Sequence, residues 1–191
     1  MFLNAHDQAI KQHELNSSDL RSVIIHSQFM RPDLIEQYNR YGLIPSYFTN
    51  HTFYWGDTHM LNMGEERAFF TSPLVASDEA QIIYTNHNDY PITPLDQPFM
   101  LWSATNRISR SGQIIGPDQR TSVYNALKAL TINAAYQYQE EDIKGTLEVG
   151  KLADLVILSD NPLTIDSGDL RELQVLATFK EGVEVYRNHA Y

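Results

Sequence analysis

Short apolar runs alternate with amphipathic stretches through the first 140 residues, and this alternation limits the architecture more than any other property of the chain. Ser22-Val23-Ile24-Ile25 is a β-branched run ending at His26, which suits a buried strand. Pro32 then suits the first turn of a helix. Leu34, Ile35, Tyr38 and Tyr41 follow at helical spacing, and Gly42 stops it. Residues 43–48 read as a second strand and 81–85 as a third. Helices are expected over 7–15, 65–70, 98–105, from a cap at Thr121 through Leu130, and over 133–138. Residues 49–64 read as a long polar-aromatic loop. Strands alternating with helices imply parallel βαβ units, so the three strands are expected as parallel neighbours in chain order.

The pattern changes near residue 140. Gly145, Gly150, Asn161, Pro162, Gly168 and Gly182 punctuate short apolar runs at 155–158, 175–179 and 183–186. Such a tail suits antiparallel β structure, and a boundary is expected near 142.

Composition narrows the function. The 191 residues carry 14 Lys and Arg against 24 Asp and Glu, a net charge of −10. That balance disfavours nucleic acid and anionic membranes as partners. The absence of cysteine excludes disulfides, thiolate nucleophiles and Cys-ligated metal. No stretch reaches the roughly 18 apolar residues of a membrane span. The start lacks a basic segment followed by an apolar one, so a cytoplasmic location is expected.

Parallel α/β folds put active residues just past the carboxyl ends of their strands. His26 and Asp89 stand there, and imidazole and carboxylate both bind zinc, manganese or iron. Taken alone, such a His is more often structural, and such an Asp more often a turn residue. His87, two before Asp89, reads as a solvated loop residue or a support to the site. The stretch His51-Thr52-Phe53-Tyr54-Trp55-Gly56-Asp57-Thr58-His59 packs three aromatics, two His and an Asp into nine residues. It is either a substrate wall, through Tyr54 and Trp55, or a flap packed on its own fold. His51 and His59, eight apart, match no recognised ligand spacing. Arg107 and Arg110 are candidates for a substrate carboxylate or plain surface charges.

Several of these segments resemble the amidohydrolase superfamily, metal-dependent hydrolases on a TIM barrel, and within it the amidohydrolase-3 branch. The tail Lys144-Gly145-Thr146-Leu147-Glu148-Val149-Gly150-Lys151-Leu152-Ala153-Asp154-Leu155-Val156-Ile157-Leu158 is similar to the family's return from barrel to small β-sandwich. Ala129-Leu130-Thr131-Ile132-Asn133-Ala134-Ala135 resembles the helix before it. Ile24-Ile25-His26-Ser27-Gln28 resembles the sixth-strand metal His, and Asn88-Asp89-Tyr90-Pro91 the eighth-strand Asp-x-Pro.

The resemblance implies metal-activated water attacking the amide-type carbonyl of a small-molecule substrate, cleaving a non-peptide carbon–nitrogen bond. His26 and Asp89 would be metal ligands, and Asp89 the general base and then acid. The metal would be zinc, with manganese or iron as alternatives. Tyr54, Trp55 and Arg107 would meet the substrate. A full barrel takes about 250 residues, so this chain has room for about half of the eight βα units. The first-strand His-x-His pair and the fourth-strand Lys or acid are absent. In the fifth-strand pattern, Leu3 stands where the His belongs if Asp7 is its Asp. The expected fold is therefore α/β: the C-terminal half of a TIM barrel over 1–142, then a β-sandwich segment over 143–191. Met1 would be an internal start. The alternative is a non-catalytic fragment or subunit that needs an N-terminal half. Open sheet edges would favour homo-oligomers. The His26 ring and the Asp89 carboxylate should then share one space within roughly 8 Å.

Overall fold

The computed structural model describes residues 2–190. Met1, the expected internal start, and Tyr191 lie outside the described residues. Among the described residues, no helix is long and apolar enough to cross a membrane.

Among the described residues, two three-stranded sheets organise the chain. The first is parallel, in the order β1 (Val23–His26), β2 (Ile44–Tyr47), β3 (Thr85–Asn86). Its register pairs Val23 with Ile44, His26 with Tyr47, and Tyr47 with Asn86. The sequence predicts this order and direction. β2, the middle strand between β1 and β3, is buried along its whole length.

The N-terminal helices α1 (Phe2–His13) and α2 (Ser17–Leu20) precede β1. The first crossover is α3 (Pro32–Tyr41). Pro32 begins it without losing a hydrogen bond. Gly42 ends it at φ 59, where its N–H reaches the carbonyls of Tyr38 and Asn39. The second crossover holds α4 (Asn50–Met63), α5 (Glu65–Phe69) and α6 (Leu74–Glu79). After β3 come α7 (Gln97–Asn106), α8 (Val123–Leu130) and α9 (Ile132–Gln137). Asp96 caps α7 by accepting from the Phe99 N–H.

Three local expectations are corrected. The stretch expected as a loop over 49–64 is helix from Asn50 to Met63. The chain at 81–84 is not strand. Gln81 turns at φ 57, and Ile82 donates back to the Ser77 carbonyl, which ties the run to the end of α6. The cap of α8 is Ser122, which accepts from the Asn125 N–H, while Thr121 donates to Asp78.

The second sheet is antiparallel: β4 (Leu155–Leu158), β5 (Val175–Lys180) and β6 (Val183–Arg187). A 3-10 turn at Ser167–Glu172 lies against α7 and buries Leu170 in the same core as Tyr47, Leu74, Tyr84 and Trp102. Arg21 fastens the other end. Its guanidinium forks onto Glu141 at 2.6 and 2.9 Å and donates to the Tyr136 carbonyl.

Candidate metal centre

β1 delivers His26 at its carboxyl end, where the chain must turn away from the sheet. It does so through two consecutive left-handed residues, His26 at φ 67 and Ser27 at φ 41. On the far side of β2 the ladder continues one residue past β3, because the His87 N–H donates to the Tyr47 carbonyl at 2.9 Å. Tyr47 is also the partner of His26. The two imidazoles therefore flank the end of β2, with ring centroids 5.0 Å apart and planes at 17°. The Phe48 ring packs on both, at 5.7 and 5.4 Å. Asp89, left-handed at φ 52, brings its carboxylate back to the same place.

The donor atoms converge. His26 Nε2 is 3.4 Å from Asp89 Oδ2, well inside the separation expected from the sequence. His26, His87 and Asp89 each offer one ligand atom, all within 4.8 Å of one another. Ser46 Oγ sits 3.0 Å from His87 Nδ1 and fixes that ring. Its other nitrogen, Nε2, is buried without a hydrogen-bond partner, and so is His26 Nε2. Two buried, unsatisfied imidazole nitrogens are costly unless something else meets them. Burial draws the His87 pKa down to about 4, the nearby His26 adding to this and the Asp89 carboxylate opposing it. The ring is thus neutral at pH 7, with a lone pair to offer.

Residues 51–59 adjoin this group because α4 starts directly after β2. The His51 ring is 6.4 Å from that of His26, edge-on to Phe48 at 4.7 Å and beside Trp55 at 4.3 Å. His51 Nδ1 lies 3.2 Å from His59 Nε2, so the helix joins two side chains whose spacing in sequence suggested nothing. Burial lowers the His51 pKa to about 4, helped by the neighbouring His59 and His26. Trp55 therefore stands beside the site. Tyr54 instead packs on Phe53 and Phe99, under the Arg110 guanidinium at 4.8 Å. Asp57 is spent on the hydroxyls of Ser109 and Ser111.

Arg107 is the clear correction. Its side chain has no solvent exposure. Nε donates to the Ile115 carbonyl at 2.6 Å, Nη2 to Thr71 at 2.7 Å and Nη1 to Ser72 at 3.1 Å. A guanidinium consumed by backbone carbonyls does not reach a substrate carboxylate. It holds the turn after α5, and the Ser72 N–H in turn donates to the Gln28 carbonyl, two residues beyond His26.

The sequence reading left His87 outside the ligand set. The available signal is the spacing: residues two apart on a strand face the same side, and His87 stands two before Asp89.

A family model described as Amidohydrolase family matches residues 1–186. An N-substituted formamide deformylase from Arthrobacter pascens is 30% identical over 135 residues, covering 70% of this chain and 25% of that protein. Protein LONG AFTER FAR-RED 3 from Arabidopsis thaliana is 30% identical over 170 residues, 88% of this chain and 29% of that protein. The crystal structure of an uncharacterized metal-dependent hydrolase from Pyrococcus furiosus superposes with a TM-score of 0.67 at 27% identity, covering 84% of this chain and 31% of that chain. The chain thus spans about a quarter to a third of the length of these relatives.

Proposed function

The chain belongs to the amidohydrolase family, and from that we propose that it serves the hydrolysis of a non-peptide, amide-type carbon–nitrogen bond at a divalent metal held by His26, His87 and Asp89. The observation that carries this reading is the pair of buried, partnerless Nε2 atoms beside a carboxylate. Two donors on one tetrahedral ion, each at about 2.0–2.2 Å, are separated by about 3.4 Å. The His26–Asp89 distance of 3.4 Å fits that edge. Two imidazoles and a carboxylate suit zinc, and also manganese or iron. When bound, such a cation lowers the pKa of water and polarises a carbonyl.

The chain's own residues supply the rest. Ser46 keeps the His87 ring oriented through Nδ1. Asp89 takes a proton from the attacking water and returns it to the leaving nitrogen, acting as base and then acid. Trp55 walls the space for the acyl group, with Tyr54 further out. The deformylase relative makes N-substituted formamides the first small-molecule substrates to assay.

The parallel sheet is read as the C-terminal half of a TIM barrel over 1–142, and the antiparallel sheet as a β-sandwich segment over 143–191. A second reading is favoured by exposed apolar strand residues: Ile25 on β1, and Val183 and Val185 on β6. On that reading the chain is catalytic only when further polypeptide, or a second copy, covers those strands.

Equilibrium dialysis against zinc tests the centre. One zinc per chain is expected for the wild type, with at least tenfold weaker uptake in His87→Gln and in Asp89→Asn. No uptake, or equal uptake by all three proteins, overturns the assignment.

A further inference from the structure

Three lone-pair donors converge at the centre, and none of them offers an N–H to a carbonyl oxygen turning into an alkoxide, a contact that would add to what a cation supplies there. Arg107 does not provide one, since its hydrogen bonds go to Ile115, Thr71 and Ser72. His51 is the remaining imidazole at the carboxyl end of the sheet. Its ring centroid lies 6.4 Å from that of His26, with the planes tilted by 57°, so the two imidazoles are neighbours at the centre. The ring is clamped on three sides by Phe48, Trp55 and His59. A clamped donor loses little on reaction, which is what makes an oxyanion contact effective.

We propose that His51 is a catalytic residue that donates a hydrogen bond from Nε2 to the carbonyl oxygen of the bound amide, and that His59 is a positioning residue that sets it up. The contact between the two rings carries a single proton, because one nitrogen must donate and the other accept. If His59 Nε2–H donates to His51 Nδ1, then the proton of neutral His51 sits on Nε2. The sequence offered only an unfamiliar spacing of eight; α4 turns it into a donor and its support. The inference rests on the hydrolytic reading of the centre, and its test separates the two.

The test uses the whole chain. In metal-free protein labelled with 15N-histidine, long-range proton–nitrogen correlation reports which nitrogen of each ring is protonated. His51 is expected as the Nε2–H form, and His59→Phe is expected to lose that preference while keeping the fold by circular dichroism. An Nδ1–H form at His51 in the wild type overturns the assignment, whatever the metal result. The zinc-loaded protein is then titrated with N-methylformamide. His51→Leu should take up zinc within twofold of wild type but bind the amide at least tenfold more weakly. His51→Gln, which retains an N–H, should recover most of that loss. Zinc uptake that fails in His51→Leu makes His51 a ligand and overturns the donor role. Normal zinc uptake with no effect of the amide on the wild-type His51 signals also overturns it, and leaves the metal reading intact. If the wild type takes up no zinc, the metal reading fails and the donor role that rests on it falls with it, whatever the tautomer.

Discussion

Arg107→Met removes a guanidinium but keeps an unbranched side chain in a position without solvent exposure. Three carbonyls, of Ile115, Thr71 and Ser72, lose donors at 2.6, 2.7 and 3.1 Å, and that of Phe69 loses a longer contact at 3.5 Å. A hydrogen bond from a charged donor is worth about 1.5–3 kcal/mol net, and an orphaned buried acceptor costs about 1–3 kcal/mol. Against this, no carboxylate pairs with Arg107 among the described residues, so its removal recovers several kcal/mol of desolvation. Burial expresses that strain by drawing its pKa down to about 9, which still leaves it protonated at pH 7. The balance is a net loss of about 3 kcal/mol, the scale of one or two hydrogen bonds from a charged donor. Typical domains hold about 5–15 kcal/mol, so urea unfolding resolves the change. Arg107→Lys should lose nearly as much, because a point ammonium cannot span three carbonyls. A methionine variant within about 1 kcal/mol of wild type would refute the claim that this guanidinium holds the 69–72 turn.

His51 and His87, both near pKa 4 in the fold against 6.5 for the free group, bind fewer protons than the unfolded chain between those values. Their contribution is complete above pH 6.5 and is lost as pH falls toward 4, so the urea midpoint of metal-free protein should drop between pH 7 and pH 4.5, less steeply in His87→Gln. Gly116→Ala puts a Cβ 2.1 Å from the Phe69 carbonyl oxygen at a backbone φ of 69, and should cost about 2–3 kcal/mol by chemical denaturation. Zinc at a hundredfold excess over its dissociation constant should stabilise the chain by about 2.7 kcal/mol, an increment that a tenfold loss of affinity in Asp89→Asn cuts to about 1.4 kcal/mol.

The elements that announced themselves in the sequence are those whose burial is one-sided or complete. β1 opens on three β-branched apolar residues, β2 is buried throughout, and α3 carries its own stop in Gly42. The helix α4 did not announce itself because its buried positions are Asn50, Thr52 and Gly56, while its aromatics spread around the cylinder. No apolar stripe of helical period is left to read. Gly56 is required there by contact, since a Cβ would lie 2.7 Å from Ile115 Cγ1. The run at 81–84 looked like strand from composition alone, and long-range pairing reached only Thr85 and Asn86. At the centre, His26 and Asp89 could be placed by position after strands and by resemblance. His87 and His51 needed the third dimension: one joins through a ladder bond to Tyr47, the other through a helix that the sequence disguises. Arg107 was misread because charge usually marks the surface, and only the carbonyls around it show why this one lies inside.

The left-handed turns at His26 and Asp89 act as a filter on what can replace them. That region of backbone space admits glycine freely and Asn, Asp and His with some ease, but penalises β-branched and bulky residues. A replacement at either position is therefore judged twice, once for its donor atom and once for its backbone. The alternatives that pass the second test are mostly small and polar, and most of those still present an oxygen or nitrogen. Mutational drift at these two positions is thus channelled toward Asn, Asp and Gly. A sequence survey that finds Val or Ile at either position should also find that the turn itself has been rebuilt.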